Sequence, residues 1–312
     1  MSDLGYLERL TLQLTIGASL LTDAERDPHL QYILESQRSD GGWAGREGES
    51  DLYYTSFAVR SLAILGALDG DIAQRAVRFL RDSLHTRQSI VDLLSLVYSG
   101  KLLEASCGLD PFSDAKSNWG SELAALLQRL RRDDGGFAKS EESRLSSTYQ
   151  TFLAAICLEL IGEPMQDPDK ATRFILSQRQ EDGGFLEVRV AKRSGTNPTA
   201  AAIGALRVLS ALDDSVKQTA ADFILSVQTD EGGFQANTRI PLPDLLSTFT
   251  GCVTLADLDS LAECDVQSAR DYARQMQRPE GGFAGFELDP DRDIEYTFYG
   301  LGLLAMLNSE PS

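Results

Sequence analysis

The sequence predicts an all-α fold, an α/α barrel of six helical hairpins with six inner and six outer helices. Three observations carry that expectation. A Gly-Gly-aromatic tripeptide recurs through the chain, each copy lies between an amphipathic helix and a nearly wholly apolar one, and the first and last copies are as complete as the middle ones. Open helical stacks end in polar capping units, so intact terminal units point to a closed ring, with an open helical superhelix as the alternative on the repeat pattern alone.

The tripeptides are Gly41-Gly42-Trp43, Gly135-Gly136-Phe137, Gly183-Gly184-Phe185, Gly232-Gly233-Phe234 and Gly281-Gly282-Phe283. The last three intervals are 48, 49 and 49 residues, and the first is 94, twice 47. A degenerate second unit near residues 76–104 fills that gap, with Ala76–Leu84 as its outer helix, Ser89–Leu103 as its inner one and its glycine turn lost. Elsewhere each unit opens on a helix with apolar residues at three- and four-residue spacing, as in Leu30–Gln37, Phe174–Gln178 and Phe223–Gln228. An acidic residue and the glycine pair end it, because glycine reaches the left-handed conformation that closes a helix. The second helices, Tyr53–Leu68, Ser147–Ile161, Thr199–Leu212, Leu245–Leu258 and Glu295–Leu307, begin near Asp, Ser or Thr and continue in Ala, Leu, Ile and Phe. Apolar on nearly every face, they belong inside. Trp43 and the repeated phenylalanines are expected to pin the turns. No Pro-, Gly- or Ser-rich linker divides the chain, so one domain over residues 1–312 is expected.

Composition narrows the partners. The 312 residues carry 29 Lys+Arg against 47 Asp+Glu, a net charge of −18. That balance leaves no cationic stripe for a phosphate backbone and disfavours an anionic membrane surface, so nucleic acid is not an expected partner. No run approaches the ~20 apolar residues of a membrane span. Thr11, Gln13, Thr15 and Ser19 interrupt the apolar stretch from Leu10 to Leu21 and no basic region precedes it, so no targeting peptide is read. Cys107, Cys157, Cys252 and Cys264 are widely spaced with no CxxC pair, which argues against a disulfide framework or a cysteine-rich zinc site and for a reducing, cytoplasmic compartment. Neither His29 nor His85 lies near a cysteine in sequence, so no thiol nucleophile has a visible base.

The segments Gln37-Arg-Ser-Asp-Gly-Gly-Trp43 and Gln178-Arg-Gln-Glu-Asp-Gly-Gly-Phe185 resemble the repeat mark of the prenyltransferase and squalene-cyclase superfamily, along essentially the whole chain. In length and loop grammar the chain most resembles the β subunit of protein prenyltransferases, in particular the Rab geranylgeranyltransferase type. The resemblance implies a toroid of terpenoid cyclase and protein prenyltransferase type, a central aromatic-lined pocket for an isoprenoid or prenyl diphosphate, and a helical partner subunit. It also implies a zinc held by an Asp, a Cys two residues on, and a His at the head of the last inner helix. Asp244 matches the first, but Leu246 and Tyr296 stand at the other two positions. One ligand of three does not hold tetrahedral zinc, so a degraded zinc site is expected and no metal ligand is assigned.

For the diphosphate, the corresponding stretches offer Arg189, Lys192, Arg193 and Arg239, which either clamp it or are solvated loop charges. The cyclase branch implies an acidic Asp-x-Asp-Asp motif at an inner-helix head. Asp293-Ile-Glu295-Tyr296 fits it in part, making Asp293 and Glu295 candidate acids beside Asp244. Asp289, Asp291 and Asp293 together offer oxygen ligands for a divalent cation, and the plain alternative is that Asp293 and Glu295 cap the helix. Tyr53, Tyr149, Tyr296 and Tyr299 are the candidate pocket-lining aromatics, with Tyr54, Phe57, Phe152, Phe249 and Phe298 near them. Three functions are therefore expected to compete: a prenyltransferase-like isoprenoid binder, a terpene-cyclase-like enzyme using Glu295 or Asp293, and a non-catalytic lipid-binding or protein-interaction toroid.

Overall fold

The computed structural model describes residues 4–84, 89–113, 115 and 118–308. The inner helices are α3 (Leu52–Ile64), α5 (Ile90–Cys107), α7 (Thr148–Ile161), α9 (Thr196–Val208), α11 (Leu245–Asp257) and α13 (Ile294–Asn308). Each packs on the next, and α13 packs on α3, which closes the ring. Outside them lie α2 (Asp23–Glu35), α4 (Gly70–Ser83), α6 (Trp119–Arg129), α8 (Pro168–Leu176), α10 (Asp214–Ser226) and α12 (Val266–Gln275). This is the expected α/α barrel. The turn between α4 and α5, where the second unit has lost its glycines, and His85 within it lie outside the described residues.

The glycine turns explain both the repeat and its closure. The first glycine of each pair has φ between +83° and +96°. A Cβ on it would strike a backbone carbonyl of the next unit's outer helix, for example Thr219 at 2.1 Å from Gly183 and Ser268 at 2.1 Å from Gly232. At Gly281 the carbonyl struck is that of Pro28 in α2, at 2.0 Å, so the sixth turn lies against the first unit. The tripeptide aromatics Trp43, Phe137, Phe185, Phe234 and Phe283 are wholly buried, as expected of pins. Each pairs as a short bridge or strand with the residue that caps the following inner helix: Asp51, Ser147, Gly195, Asp244 or Asp293. The aromatic's N–H also donates to a threonine four residues beyond that cap, as from Phe185 to Thr199 at 3.0 Å and from Phe234 to Thr248 at 2.9 Å. Five of the six inner-helix starts are thereby held at one level, facing one mouth of the ring.

A thirteenth helix, α1 (Tyr6–Ala18), has no place in the six-hairpin expectation. It packs along α13, touches α3, α7 and α9, and covers the opposite end of the ring. A Cβ on Gly17 would lie 1.9 Å from the Ala305 carbonyl oxygen, so the two helices touch backbone to backbone there. At its other end the Tyr6 N–H donates to Glu159 at 2.6 Å and the Tyr6 hydroxyl to Asp257 at 2.7 Å. Among the described residues no helix is long and apolar enough to cross a membrane.

Candidate functional site

A central cavity of about 540 Å³ occupies the ring between the mouth and α1. Repeat register decides what lines it. Two residues beyond each inner-helix cap stand Tyr53, Val91, Tyr149, Asn197, Leu246 and Glu295, and all six face the cavity as a first layer. Six residues beyond the caps, Phe57, Ser95, Leu153, Ala201, Thr250 and Tyr299 form a second layer. Nine residues beyond, Arg60, Tyr98, Ile156 and Val253 form a third, above a floor of Tyr6, Leu7 and Leu10 from α1.

Glu295 is the acid of the first layer. The Tyr53 hydroxyl donates to its Oε1 at 2.6 Å. Burial pushes its carboxyl above the ordinary range, with the Asp293 charge adding to the rise and hydrogen bonds from Tyr53 and Tyr299 opposing it. The phenols pay in return: burial and then the Glu295 charge raise Tyr53 and Tyr299. Rings surround the carboxyl, with Tyr53 edge-on to Phe57 at 4.9 Å and Phe57 at 5.3 Å from Tyr299.

The remaining acidic candidates cap helices. Asp244 accepts from the Ser247 N–H at 2.7 Å and its hydroxyl at 2.8 Å, and Asp293 accepts from the Tyr296 N–H at 2.8 Å. Asp51 and Ser147 hold the same position in other units and cap in the same way, on the N–H groups of Tyr54 and Gln150. Arg46, in the turn of the first unit, reaches across the ring seam. It donates to both oxygens of Asp289 at 2.9 and 2.5 Å, to the Asp291 carbonyl at 3.0 Å, and pairs with Asp293 at 3.2 Å. Among the described residues no group of three or more His, Cys, Asp or Glu side chains is arranged to hold a metal. At the positions corresponding to zinc ligands, Asp244 is engaged by Ser247, Leu246 is a cavity-lining hydrocarbon, and burial pushes the Tyr296 phenol up to about 12. This donor set does not fit zinc.

Arg189, Lys192, Arg193 and Arg239 stand exposed on loops, and none lines the cavity. The bridge from Phe185 to Gly195 turns that loop so that Glu187 faces inward instead, accepting from the Ser147 hydroxyl. Burial raises the Glu187 carboxyl as well. Tyr53, Tyr149 and Tyr299 line the cavity, whereas Tyr296 does not and packs over Gly285. Cys157 is buried and its thiol is pushed up to about 12 by burial.

Three residues of the site escaped the sequence reading. Glu187 had only its register to announce it. Tyr6 depends on the unforeseen α1. Arg60 had a visible signal, since it is the one charged residue in the segment from Tyr53 to Leu68.

A prenyltransferase alpha-alpha toroid domain model matches residues 8–92, 95–236 and 199–311. No curated protein matches the sequence significantly. Among solved structures, Candida albicans protein geranylgeranyltransferase-I complexed with GGPP superposes with a TM-score of 0.74 at 17% identity, over 91% of each chain. A variant of the type II terpene cyclase MstE from Scytonema, in complex with geranylgeranyl dihydroxybenzoate, gives 0.63 at 14% identity over 97% of this chain and 98% of that one. The GH76A alpha-1,6-mannanase from Salegentibacter gives 0.59 at 12% identity over 96% and 98%. At these identities the likeness is one of fold, and the fold hosts more than one chemistry.

Proposed function

The chain belongs to the prenyltransferase α/α-toroid family, and from that premise we propose that it binds an isoprenoid chain in the central cavity and acts on it as a proton-initiated, cyclase-type enzyme. The observation that carries the reading is the Glu295 carboxyl: buried, raised, held by Tyr53 and set among aromatic rings at the mouth of an otherwise largely apolar cavity. Its raised pKa keeps the acid protonated where an exposed carboxylate would be ionised. In the proposed step the Glu295 O–H bond breaks as the alkene π pair takes the proton. A new C–H bond forms, and a carboxylate and a carbocation remain. The ring faces of Tyr53, Phe57 and Tyr299 stabilise positive charge in a cavity with a largely apolar lining. A further C=C π pair attacks the cation to close a ring; a proton then leaves the carbon beside the final cation for solvent water, its C–H pair becoming a C=C bond, and the Glu295 carboxylate regains a proton from solvent.

Transfer from a prenyl diphosphate is less well supported. The zinc site that such chemistry uses in the resembling family is degraded, no step here runs through a metal, and the four basic candidates lie outside the cavity. The first layer at the mouth, Tyr53, Val91, Tyr149, Asn197, Leu246 and Glu295, contains no cation to meet a diphosphate. The test is incubation with geranylgeraniol and with geranylgeranyl diphosphate, followed by mass-spectrometric product analysis and by direct binding measurements. Cyclised product from the wild type and none from Glu295→Gln, with binding retained, is expected. Binding with no turnover at any pH would assign the toroid to lipid binding alone, and no binding of either compound would refute the reading.

A further inference from the structure

A guanidinium in an apolar cavity needs an anion, and Arg60 has none. It lies in the third layer, seven residues and so about 10 Å deeper than the layer of Glu295 at the α-helical rise. Its guanidinium sits over Phe298 at 3.8 Å, Phe57 at 5.1 Å and Tyr98 at 5.4 Å from the ring centres. The Arg60 Nε is buried and finds no hydrogen-bond partner. Among the described residues no carboxylate forms an ion pair with it, and its charge is only the last-ranked influence on Glu295. Near this depth lie the Tyr98 hydroxyl, itself held by Thr11 and the Leu7 carbonyl, the Thr254 hydroxyl, which donates to the Thr250 carbonyl, and Ser95 one layer above. Ring faces and the Tyr98 hydroxyl offset part of the cost of burying the charge, but they supply no anion and leave the Nε donor unused.

We propose that Arg60 anchors the carboxylate of the cavity's ligand, so that the substrate is an isoprenoid carboxylic acid that enters head first. This rests on the isoprenoid reading of the cavity. One guanidinium balances one carboxylate and meets it in the planar, two-point geometry that suits this pair, whereas a diphosphate brings more charge than the single cation at this depth neutralises. Head-first entry lays the hydrocarbon upward through the second layer and brings alkenes remote from the head to the level of Glu295. The two charged groups thus set the polarity of the ligand: anion at the floor, alkene at the mouth.

The test compares chain-matched ligands by calorimetry or fluorescence displacement on the wild-type protein and on Arg60→Gln, with circular-dichroism melting to confirm that the variant is folded. Farnesoic acid is expected to bind the wild type at least about tenfold tighter than farnesol, the worth of one charge-assisted hydrogen bond. Arg60→Gln should remove that preference, bringing the ratio of the acid's affinity to the alcohol's close to one. Equal affinities for the acid and the alcohol in the wild type would overturn the anchor yet leave the isoprenoid reading standing. Oleate, a carboxylate on a non-isoprenoid chain, separates the two claims: if it binds through Arg60 while neither farnesyl compound binds, the anchor survives and the isoprenoid reading falls. Tighter, Arg60-dependent binding of farnesyl diphosphate than of farnesoic acid would overturn the carboxylate assignment.

Discussion

Acid should open this ring at its seam, through His29. The side chain is 2% exposed, and its Nδ1 accepts the Gly282 N–H at 2.9 Å while its ring lies 4.4 Å from that of Phe283. It thereby joins α2 of the first unit to the glycine turn of the sixth. Burial, aided by the Arg292 charge, lowers its pKa from 6.5 to about 4. The native imidazole is thus neutral where the unfolded one takes a proton, and the unfolded chain binds more protons between these values. Stability is therefore present above about pH 6.5 and is lost as the pH falls toward 4. The difference of 2.5 units, at about 1.4 kcal/mol per unit, amounts to roughly 3 kcal/mol. Carboxyls with raised native pKa values, such as Glu187, Asp244 and Glu295, act in the opposite sense as pH falls, so the wild-type curve alone mixes the two. His29→Asn isolates the imidazole, because Oδ1 of the amide can occupy the Nδ1 position as acceptor and does not titrate. Urea unfolding of both proteins from pH 7.5 to 4 should show a constant offset above pH 7. Below it, the wild type should lose about 3 kcal/mol relative to the variant. Parallel curves across the range would refute the assignment of His29 as a neutral, buried acceptor.

Glu295 should impose the reverse pH dependence on turnover. Activity that needs its proton stays level at low pH and falls as pH rises through its raised pKa. Tyr53→Phe removes a hydrogen bond that favours the carboxylate, and should move that falling limb of the kcat profile to higher pH; a limb that stays in place separates Glu295 from the rate. Gly17→Ala forces α1 off α13, since the new methyl would stand 1.9 Å from the Ala305 carbonyl oxygen. A loss of about 1–3 kcal/mol is expected in thermal or denaturant unfolding, with weaker ligand binding as the cavity floor lifts. An unchanged melting point would mean that α1 is not seated as described. Thr199→Val strands the buried Phe185 N–H at a cost of about 1–3 kcal/mol. Thr199→Ser keeps the hydroxyl and should restore most of that loss in the same unfolding assay.

What the sequence made legible, and what it hid, follows from which contacts repeat. The Gly-Gly-aromatic turn is local and recurs five times, so it identified the units, their helices and the pins before any coordinates. Helix α1 occurs once, and its place depends on a backbone contact between Gly17 and Ala305, far apart in the chain, which no local pattern encodes. Position in a loop does not tell which side chain turns inward, so the sequence alone does not separate the basic loop residues from Glu187. The Phe185–Gly195 bridge decides that in favour of Glu187.

The same repetition sorts structural from functional acids. A position filled in unit after unit by cap formers, as Asp51, Ser147, Asp244 and Asp293 fill theirs, answers a demand common to all units: each must satisfy the first N–H groups of an inner helix. Two residues further on that demand is gone, and Tyr53, Val91, Tyr149, Asn197, Leu246 and Glu295 share nothing but their view of the cavity. Chemistry in a ring of equivalent hairpins can reside only where the units differ. That criterion agrees with the roles proposed for Glu295 in the first layer and Arg60 in the third, because neither residue's charge is needed to build a hairpin. Asp244 and Asp293, although they match the motifs of the resembling enzymes, cap their helices as Asp51, Ser89 and Ser147 cap theirs.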